Sequence, residues 1–221
     1  MNIKNIKGLK YPDEYFIKFF FKKGLHKIDK KKYLELGCSN GCNLMLPYQY
    51  NNSVLGVDMD QQSIFYANEN FKILNQNTKF QFFNTDMRKF CKEQKNLYAD
   101  VLILANSIYY IPEDDFINML KNIIENKLIK ENVPFFIRFR EIDDFRNNKG
   151  VIIGKNSIIM KNEVTAEDGL FCKFYEKNEM INILSEQLNI RNFEMMDIRY
   201  DNIQNGIKVN NHDVVIWGEI N

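Results

Sequence analysis

The chain has 221 residues, of which 30 are basic and 29 acidic, so its formal net charge is only +1. This balance argues against a protein that binds nucleic acid or an acidic membrane surface, because such proteins usually show a marked basic excess. With 45% apolar and 14% aromatic residues, the chain can bury a substantial core, and its length favours one domain over two.

The sequence also bears on location and on metal binding. No apolar run reaches the roughly 18 residues of a membrane-spanning helix, and we expect no signal peptide after the basic start. The four cysteines, at 38, 42, 91 and 172, form no paired C-x-x-C framework. We therefore expect reduced thiols in a cytoplasmic protein. Cys38 and Cys42 have no histidine nearby, so no metal site is predicted.

The first 32 residues precede the first predicted strand and contain a predicted helix from Pro12 to about Lys23. Aromatic side chains recur there at helical spacing: Tyr15, Phe16, Phe19 and Phe20. Two interpretations stay open. The helix packs on the body of the protein, or it forms a lid over a ligand, with Tyr11 or Tyr15 in contact with that ligand.

From residue 33 onward, apolar strands alternate with helical segments, which predicts a parallel sheet with right-handed crossovers. The predicted strands are 33–36, 54–58, 79–84, 100–105 and 134–139. The predicted helices begin near Gly41, at Gln61 (running to Leu74), near Arg88 and at Pro112. Predicted buried stripes are Ile64, Phe65, Phe71 and Leu74 in the second of these helices, and Phe116, Leu120, Ile123 and Ile124 in the fourth.

The pattern changes after residue 140. Residues 141–175 are mixed and polar, with a short β excursion at 151–160. A helix follows at 177–188, and two strands near 193–200 and 213–219 flank a turn-like segment at 202–206, which predicts an antiparallel hairpin. The predicted fold class is therefore α/β, a doubly wound, seven-stranded, mostly parallel sheet with a C-terminal hairpin.

Candidate ligand-binding residues fall at the carboxyl ends of the predicted strands, where parallel sheets bind ligands. They are Glu35, Gly37, Gly41, Asp58, Asp86 and Asn106. Gly37 and Gly41 bracket a turn whose backbone can approach a ligand closely. Asp58 ends the second strand and can accept hydrogen bonds from ribose hydroxyls. Together these features predict a nucleoside ligand.

The order of elements and motifs over about residues 33–140 resembles the class I S-adenosylmethionine-dependent methyltransferases. The first motif of that family, an acid followed by alternating glycines, is matched by residues 35–41, with Ser39 in place of the middle glycine. The resemblance implies a Rossmann-like fold, S-adenosyl-L-methionine as the cofactor, and methyl transfer. It implies these cofactor-binding residues: Glu35, Gly37, Ser39, Gly41, Asp58, Met59, Asp86, Met87 and Asn106.

The resemblance also implies what these residues do. Glu35 would support the turn or the cofactor ammonium, and Asp58 would bind both ribose hydroxyls. Asp86 and the Met87 backbone would bind adenine, which Met59 flanks. Asn106 would lie beside the sulfonium. The single domain, 1–221, would comprise an N-terminal helical lid (1–32), a cofactor-binding core (33–140), a substrate-side insertion (141–175), and a closing helix and hairpin (176–221).

Other nucleotide-binding families fit less well. A nicotinamide-dependent dehydrogenase needs G-x-G-x-x-G, but Ser39 and Cys42 occupy two of the glycine positions. Relatives that methylate bases of nucleic acids carry a Pro-Pro-aromatic tetrapeptide where this chain has residues 106–109. We therefore predict a small-molecule partner, no nucleic acid and no membrane. A protein methyltransferase and a non-catalytic cofactor-binding protein stay open, as does the oligomeric state.

Acceptor-side residues are predicted at the end of the fifth strand. Arg138 and Arg140 alternate onto one side and suit a phosphate or carboxylate, although salt bridges to Glu141, Asp143 or Asp144 are the alternative. Candidate general bases are Glu141, which is favoured, then Tyr110, Asp143 and His212. His212 is expected in a solvent-exposed turn, and Trp217 in the core.

A looser resemblance concerns the segment 11–15 and the Arg-Phe-Arg sequence that ends the fifth strand. Both are similar to small bacterial methyltransferases from surface-polysaccharide gene clusters. The implied acceptor is a small polar, anionic metabolite or sugar derivative, methylated on oxygen or nitrogen.

Overall fold

The computed structural model describes residues 3–75, 78–161 and 167–221. The strands are β1 (Lys32–Leu36), β2 (Ser53–Asp58), β3 (Phe80–Asn84), β4 (Val101–Ala105), β5 (Val133–Arg140), β6 (Gly150–Gly154), β7 (Ser157–Met160), β8 (Phe171–Lys173), β9 (Ile190–Gln204) and β10 (Ile207–Ile220). The helices are α1 (Glu14–Lys22), α2 (Met45–Gln49), α3 (Gln61–Leu74), α4 (Met87–Glu93), α5 (Glu113–Glu125) and α6 (Lys177–Leu188).

The larger sheet has seven strands in the order β3-β2-β1-β4-β5-β10-β9. The strands from β1 to β5 are parallel, and the β9–β10 hairpin pairs antiparallel with β5 through β10. The predicted doubly wound sheet with a C-terminal hairpin is therefore confirmed. Strands β6, β7 and β8 form a separate antiparallel sheet, which extends the β excursion predicted at 151–160.

Local chemistry explains why two helices have the predicted bounds. At the start of α3, the Asp60 side chain accepts a hydrogen bond from Ser63 N, and Asn75 ends the helix in the left-handed conformation. A capping box between Glu176 and Glu179 begins α6. Pro47 lies within α2, which is only five residues long, because a proline interrupts the hydrogen-bond pattern of a helix.

Helix α1 packs on the sheet and contributes to one of the two buried apolar clusters that the described residues form. Phe16, Phe19 and Phe20 are fully buried, and the Phe16 ring meets Phe136 of β5 at 5.6 Å between centroids. Trp217 of β10 is buried beside Phe19, as expected. The apolar face of α1 therefore packs on the body of the protein, which was the first of the two interpretations. A role of this helix as a lid stays a prediction.

Two predicted core residues are exposed. Phe65 of α3 is 51% exposed and Ile124 of α5 is 42% exposed, so both assignments are wrong. Each directly follows a buried isoleucine, Ile64 and Ile123 respectively. A step of one residue turns the side chain by about 100° around a helix, which carries it off the buried stripe.

The C-terminal hairpin is longer than predicted. Its turn is Asn205-Gly206, within the predicted turn segment, but β9 and β10 extend well beyond the predicted strands. His212 lies within β10 and is 2% exposed, so its predicted place in a solvent-exposed turn is wrong. The polar run around it is covered because β10 pairs with β9 on one side and with the β5 end on the other.

All four cysteines, at 38, 42, 91 and 172, are free and buried; their reduced state stays a prediction. Over the residues that the structure describes, none of the helices has both the length and the apolar character required to span a bilayer.

Candidate functional site

The turn after β1 is tied to the end of β2. Gly37 N and Cys38 N both donate to Val57 O, at 2.7 and 3.0 Å. Ser39 N donates to Asp58 Oδ2 at 2.7 Å. Ser39 adopts a left-handed backbone, with φ of 47°, so serine provides the turn at the position where the resemblance expects a glycine. The two strand ends therefore form one rigid edge.

Packing within the turn explains the two glycines. A Cβ on Gly37 would lie 2.2 Å from Ser107 Cβ, and Gly37 has a φ of 79°. A Cβ on Gly41, with a φ of 74°, would lie 3.0 Å from the Phe71 ring. Both residues must therefore be glycine for reasons internal to the protein, whether or not a ligand also approaches their backbone.

Glu35 is a buried carboxyl group at the end of β1. Its Oε1 accepts from Asn43 Nδ2 at 2.7 Å, and the side chain is almost completely buried. Burial raises the pKa of Glu35 to about 8, although the Asn43 hydrogen bond opposes the shift. Its Oε2 has no hydrogen-bond partner within the described ranges. A buried carboxyl group with one oxygen unpaired is suited to a cationic ligand group, whose charge would in turn favour the ionised form of Glu35.

Asp58 and Asp86 lie at the ends of neighbouring strands. Asp58 Oδ1 accepts from Asp60 N at 2.9 Å, and its own carbonyl accepts from Thr85 N at 3.0 Å. Asp86 caps α4 by accepting from Arg88 N at 2.7 Å, and both its carboxylate oxygens accept from the Arg88 guanidinium. These Arg88 hydrogen bonds lower the pKa of Asp86. The structure thus gives Asp86 a structural partner that the sequence did not predict.

The two methionines of the predicted adenine site differ in exposure. Met59, directly after β2, is 74% exposed, whereas Met87 is the first residue of α4 and packs partly against the core. Asn84 Nδ2 donates to Met59 O at 2.9 Å, which fixes the backbone there. An exposed apolar side chain beside Asp58 is available to a flat ligand.

Asn106 follows β4 and is connected to Glu35 through Asp13 and Asn43, neither of which was predicted as a site residue. Asn106 Nδ2 donates to Asp13 Oδ2 at 3.2 Å, and Asp13 N donates to Asn43 Oδ1 at 2.8 Å. Asn43 in turn donates to Glu35. Asp13 also caps α1 by accepting from Tyr15 N and Phe16 N. An aspartate directly before a helix is a typical N-cap, so its capping role was visible in the sequence.

The N-terminal segment lies on the turn. Asn40 Nδ2 donates to Lys7 O at 2.6 Å and to Leu9 O at 2.7 Å. Of the two predicted ligand-contacting tyrosines, Tyr11 is 70% exposed. Tyr15 is half-buried, with its ring 5.4 Å from the Arg138 guanidinium carbon. The segment therefore covers part of the turn without burying Tyr11.

Arg138 and Arg140 are both paired with carboxylates of the protein. Arg138 donates to Asp13 Oδ2 at 2.5 Å and to Asp213, and its side chain is only 14% exposed. Arg140 donates to Glu167 and stacks on Tyr109, 4.1 Å from the ring centroid. Internal ion pairs were the alternative to substrate binding, but the acids are not the ones predicted. The structure brings Arg138, but not Arg140, into contact with the Asn106 network.

Of the predicted bases, Tyr110 donates to Glu167 Oε1 at 2.5 Å, and burial raises its pKa to about 12. A phenol that ionises with such difficulty is a poor general base near neutral pH. Glu141 directly follows β5, is buried, and lies 3.3 Å from His212 Nδ1. The two predicted catalytic residues are therefore placed in different side-chain clusters.

Comparison with known proteins agrees with this arrangement of the strand ends. Residues 34–126 match the family model described as a methyltransferase domain. No curated protein matches the sequence. The matched residues include the turn after β1, Asp58, Asp86 and Asn106.

Solved structures that are similar to this chain share its fold at low sequence identity. An S-adenosylmethionine-dependent methyltransferase from Methanosarcina mazei is 15% identical, with a TM-score of 0.67 over 90% of this chain and 97% of that one. One from Clostridium acetobutylicum is 13% identical, with a TM-score of 0.63 over 93% and 90%.

A third similar structure contains the cofactor. The magnesium protoporphyrin IX methyltransferase from Synechocystis, solved with bound S-adenosylmethionine, is 11% identical, with a TM-score of 0.59 over 94% of this chain and 77% of that one. Together, the family-model match and the shared fold support an enzyme, a methyltransferase with S-adenosyl-L-methionine as its cofactor. The unpartnered Glu35 Oε2 and the half-exposed Asp58 fit that cofactor, which carries an ammonium group and two ribose hydroxyls.

Proposed function

We propose that this methyltransferase moves a methyl group from S-adenosyl-L-methionine to an oxygen or nitrogen of a small polar molecule. The predicted acceptor class is a metabolite or sugar derivative, anionic in the simplest case, from surface-polysaccharide biosynthesis. The observation that carries the proposal is the polar wall beside Asn106. Asp13, Arg138 and Asp213 join there through charge-assisted hydrogen bonds, and a polar wall favours an acceptor that can form hydrogen bonds.

The cofactor would be held at the carboxyl edge of β1, β2 and β3. Glu35 Oε2 is the proposed partner of the ammonium, and Asp58 that of the ribose hydroxyls. Asp86, Met59 and the Met87 backbone are the proposed adenine contacts. The turn backbone at Gly37, Ser39 and Gly41, together with Asn106, would complete the site. What supports this assignment is the unpartnered Glu35 oxygen and the exposed Met59 beside Asp58.

When bound, the cofactor supplies an electrophilic methyl group. The residues of the chain would mainly position the acceptor, because alignment of the reacting atoms alone can supply a large part of the rate. The Asn106–Asp13 hydrogen bond fixes the wall on which the acceptor would lie. A hydroxyl acceptor would gain from a general base. Glu141 stays the proposed base, since the high pKa of Tyr110 makes that residue less suitable.

An anionic acceptor group has a specific requirement. Arg138 and Arg140 are each bonded to carboxylates, and their side chains are 14% and 7% exposed. An acceptor phosphate or carboxylate would therefore bind by replacing Asp213 or Glu167, since a guanidinium pairs bidentately with one such group at a time. Of these two carboxylates, Glu167 is the one that we propose is displaced, because it belongs to the predicted substrate-side insertion.

The test is a methyl-transfer assay with S-adenosylmethionine labelled in the methyl group. The acceptor panel contains neutral sugars, sugar phosphates, nucleotide sugars, small amines and a peptide pool. We expect label in a small polar compound, with transfer lost in Asp58→Asn and kept in Asp201→Asn, which changes an exposed hairpin aspartate paired with Lys208. Label only in peptides would replace the proposal with protein methylation. Cofactor binding without transfer to any acceptor would favour a non-catalytic protein.

A further inference from the structure

A cluster of metal-ligating side chains lies just beyond the end of β5. Glu141, Asp143 and His212 each present one ligand atom, and these atoms lie within 4.8 Å of one another. His212 Nδ1 is 3.3 Å from Glu141 Oε2 and 4.0 Å from Asp143 Oδ2. Two ligand atoms bound to a common ion at about 2.0–2.2 Å are at most about 4.4 Å apart, so both distances from His212 Nδ1 are compatible with one ion. No metal was expected from the sequence, in which Cys38 and Cys42 lack a nearby histidine and His212 is distant from Glu141 and Asp143.

His212 provides the second, independent observation. Its side chain is 3% exposed, yet Nδ1, the atom aimed at the two carboxylates, makes no hydrogen bond with any residue in the described ranges. The other ring nitrogen, Nε2, lies 2.6 Å from Asp197 Oδ1. Only Nε2 has a carboxylate in hydrogen-bonding geometry, since the 3.3 Å contact of Nδ1 with Glu141 is not a hydrogen bond. The proton is therefore assigned to Nε2, which leaves the Nδ1 lone pair directed into the cluster.

The surroundings hold these ligand atoms in place. Lys177 Nζ lies 2.6 Å from Asp197 Oδ2, so Asp197 is oriented from both sides. Glu141 Oε2 accepts from Asp143 N at 2.9 Å, and the His212 backbone N donates to Asp144 Oδ2 at 3.0 Å. A histidine ligand whose second nitrogen donates to a carboxylate is the usual outer-shell arrangement of metal sites in proteins.

One side of the cluster is open. Asp143 and His212 line a groove together with Arg199, Tyr200, Asp201, Asn210 and Asn211. Arg199 Nη2 lies 3.5 Å from Asp143 Oδ2, but both side chains are about 60% exposed, so this ion pair is weak. Arg199 can therefore leave Asp143 free to bind an ion, and the groove leaves room for water or ligand oxygens in the remaining coordination positions.

We propose that Glu141, Asp143 and His212 bind a divalent transition-metal ion, such as Zn²⁺ or Mn²⁺, with its open positions facing this groove. An imidazole ligand favours these ions over Mg²⁺ and Ca²⁺, and the two carboxylates suit Mn²⁺ as well. The site does not depend on the identity of the methyl acceptor. If the ion is bound, Glu141 is a metal ligand and cannot at the same time serve as the general base.

The presence of only two histidines, His26 and His212, allows a direct test. In protein labelled with ¹⁵N-histidine and free of cofactor, Zn²⁺ is titrated while the ring nitrogen resonances are followed by NMR. We expect the Nδ1 resonance of His212 to shift to that of a metal-bound nitrogen, while His26, which packs on Phe21, stays unchanged. If the His212 resonance does not respond to Zn²⁺, the proposal is overturned.

Calorimetry with Zn²⁺ on matched variants assigns the ligands. Asp143→Asn, at a side chain that is 60% exposed, preserves the fold and should weaken Zn²⁺ binding at least about 10-fold, as should Glu141→Gln. Asp201→Asn changes an acid in the same groove that lies outside the cluster, and should bind Zn²⁺ as the unmodified protein does. Equal binding by Asp143→Asn and the unmodified protein would contradict the proposal, even if Glu141→Gln failed to fold.

Discussion

Two regions at the carboxyl ends of the parallel strands use their charged groups differently. At the ends of β1 and β2, Glu35 keeps an oxygen without a partner among the described residues, and Asp58 is half-exposed. Near the end of β5 and in the middle of β10, Arg138 and Asp213 are paired with each other, and both side chains are largely buried. The first part leaves polar atoms unpaired, whereas in the second part the charged groups of the proposed acceptor wall also hold distant elements together.

The paired charges connect elements that are distant in the sequence. Arg138 of β5 bonds Asp13 before α1 and Asp213 of β10. Arg140 bonds Glu167, which follows the β6–β7 hairpin. The residues predicted to recognise the acceptor are therefore also the residues that attach the N-terminal helix and the insertion to the sheet.

Replacement of Arg138 tests this difference most strongly. Arg138→Ala leaves Asp13 and Asp213 buried without their cation, so we expect the free energy of unfolding to fall by about 3–5 kcal/mol. The measurement is urea denaturation. The matched control is Arg88→Ala, because Arg88 also bridges two aspartates, Asp86 and Asp115, but its side chain is 41% exposed.

For Arg88→Ala we expect a loss of no more than about 1 kcal/mol, since exposed ion pairs contribute little. If Arg138→Ala and Arg88→Ala lost the same free energy of unfolding, the ion pairs at the end of β5 would contribute no more to stability than exposed ion pairs do.

Gly37 tests whether the turn on the cofactor side is fixed by packing. Gly37→Ala places a Cβ 2.2 Å from Ser107 Cβ at a φ of 79°. We expect the free energy of unfolding to fall by about 2–5 kcal/mol, from the left-handed backbone and the overpacking together. Thermal or urea denaturation measures this loss.

The control is Gly206→Ala, which has a φ of 81° but no atom within 4 Å of the added Cβ, so it should lose only about 1–2 kcal/mol. In a Ser107→Gly background, the loss from Gly37→Ala should approach that smaller value. If Gly37→Ala and Gly206→Ala cost the same, contact with Ser107 does not constrain the turn.

The pH dependence of stability tests the burial of Glu35. Burial raises its folded-state pKa from the usual 4.5 to about 8, so between these values the folded state retains a proton that the unfolded state has lost. The contribution is fully present below pH 4.5 and is lost as the pH rises through 8. We expect the free energy of unfolding to fall with pH by up to about 1.4 kcal/mol per unit in this window.

Glu35→Gln provides the comparison, because an amide of the same size does not titrate. Its stability should fall less steeply from pH 4.5 to 8 than that of the unmodified protein. Identical slopes in the two proteins would mean that Glu35 is ionised in the folded state.

The sequence predicted best the elements that are defined by local residues. The bounds of α3 and α6 follow from caps at Asp60 and Glu176 and from regular apolar spacing. The carboxyl-end positions of Asp58 and Asn106 follow from the order of the strands. These features need only neighbouring residues, or a simple parallel topology, to be recognised.

Contacts between residues that are distant in the sequence could not be predicted from local patterns. Arg138 meets Asp13, which lies 125 residues away, and no local feature relates them. The Asn-Asn-His-Asp run at 210–213 has turn composition, but pairing with β9 makes it strand and buries His212. Nothing in the local sequence showed that His212 would face Glu141 and Asp143.

The most direct test of the cofactor assignment is calorimetry with S-adenosylhomocysteine on the unmodified protein, Asp58→Asn and Asp100→Asn. Asp100 precedes β4 at the opposite edge of the sheet and bonds Lys32 N and Lys130. We predict binding that is about 10–100-fold weaker in Asp58→Asn, as expected for lost hydrogen bonds to a charged group, and within about twofold of normal in Asp100→Asn. Unchanged affinity in Asp58→Asn would contradict a cofactor site at the ends of β1 and β2.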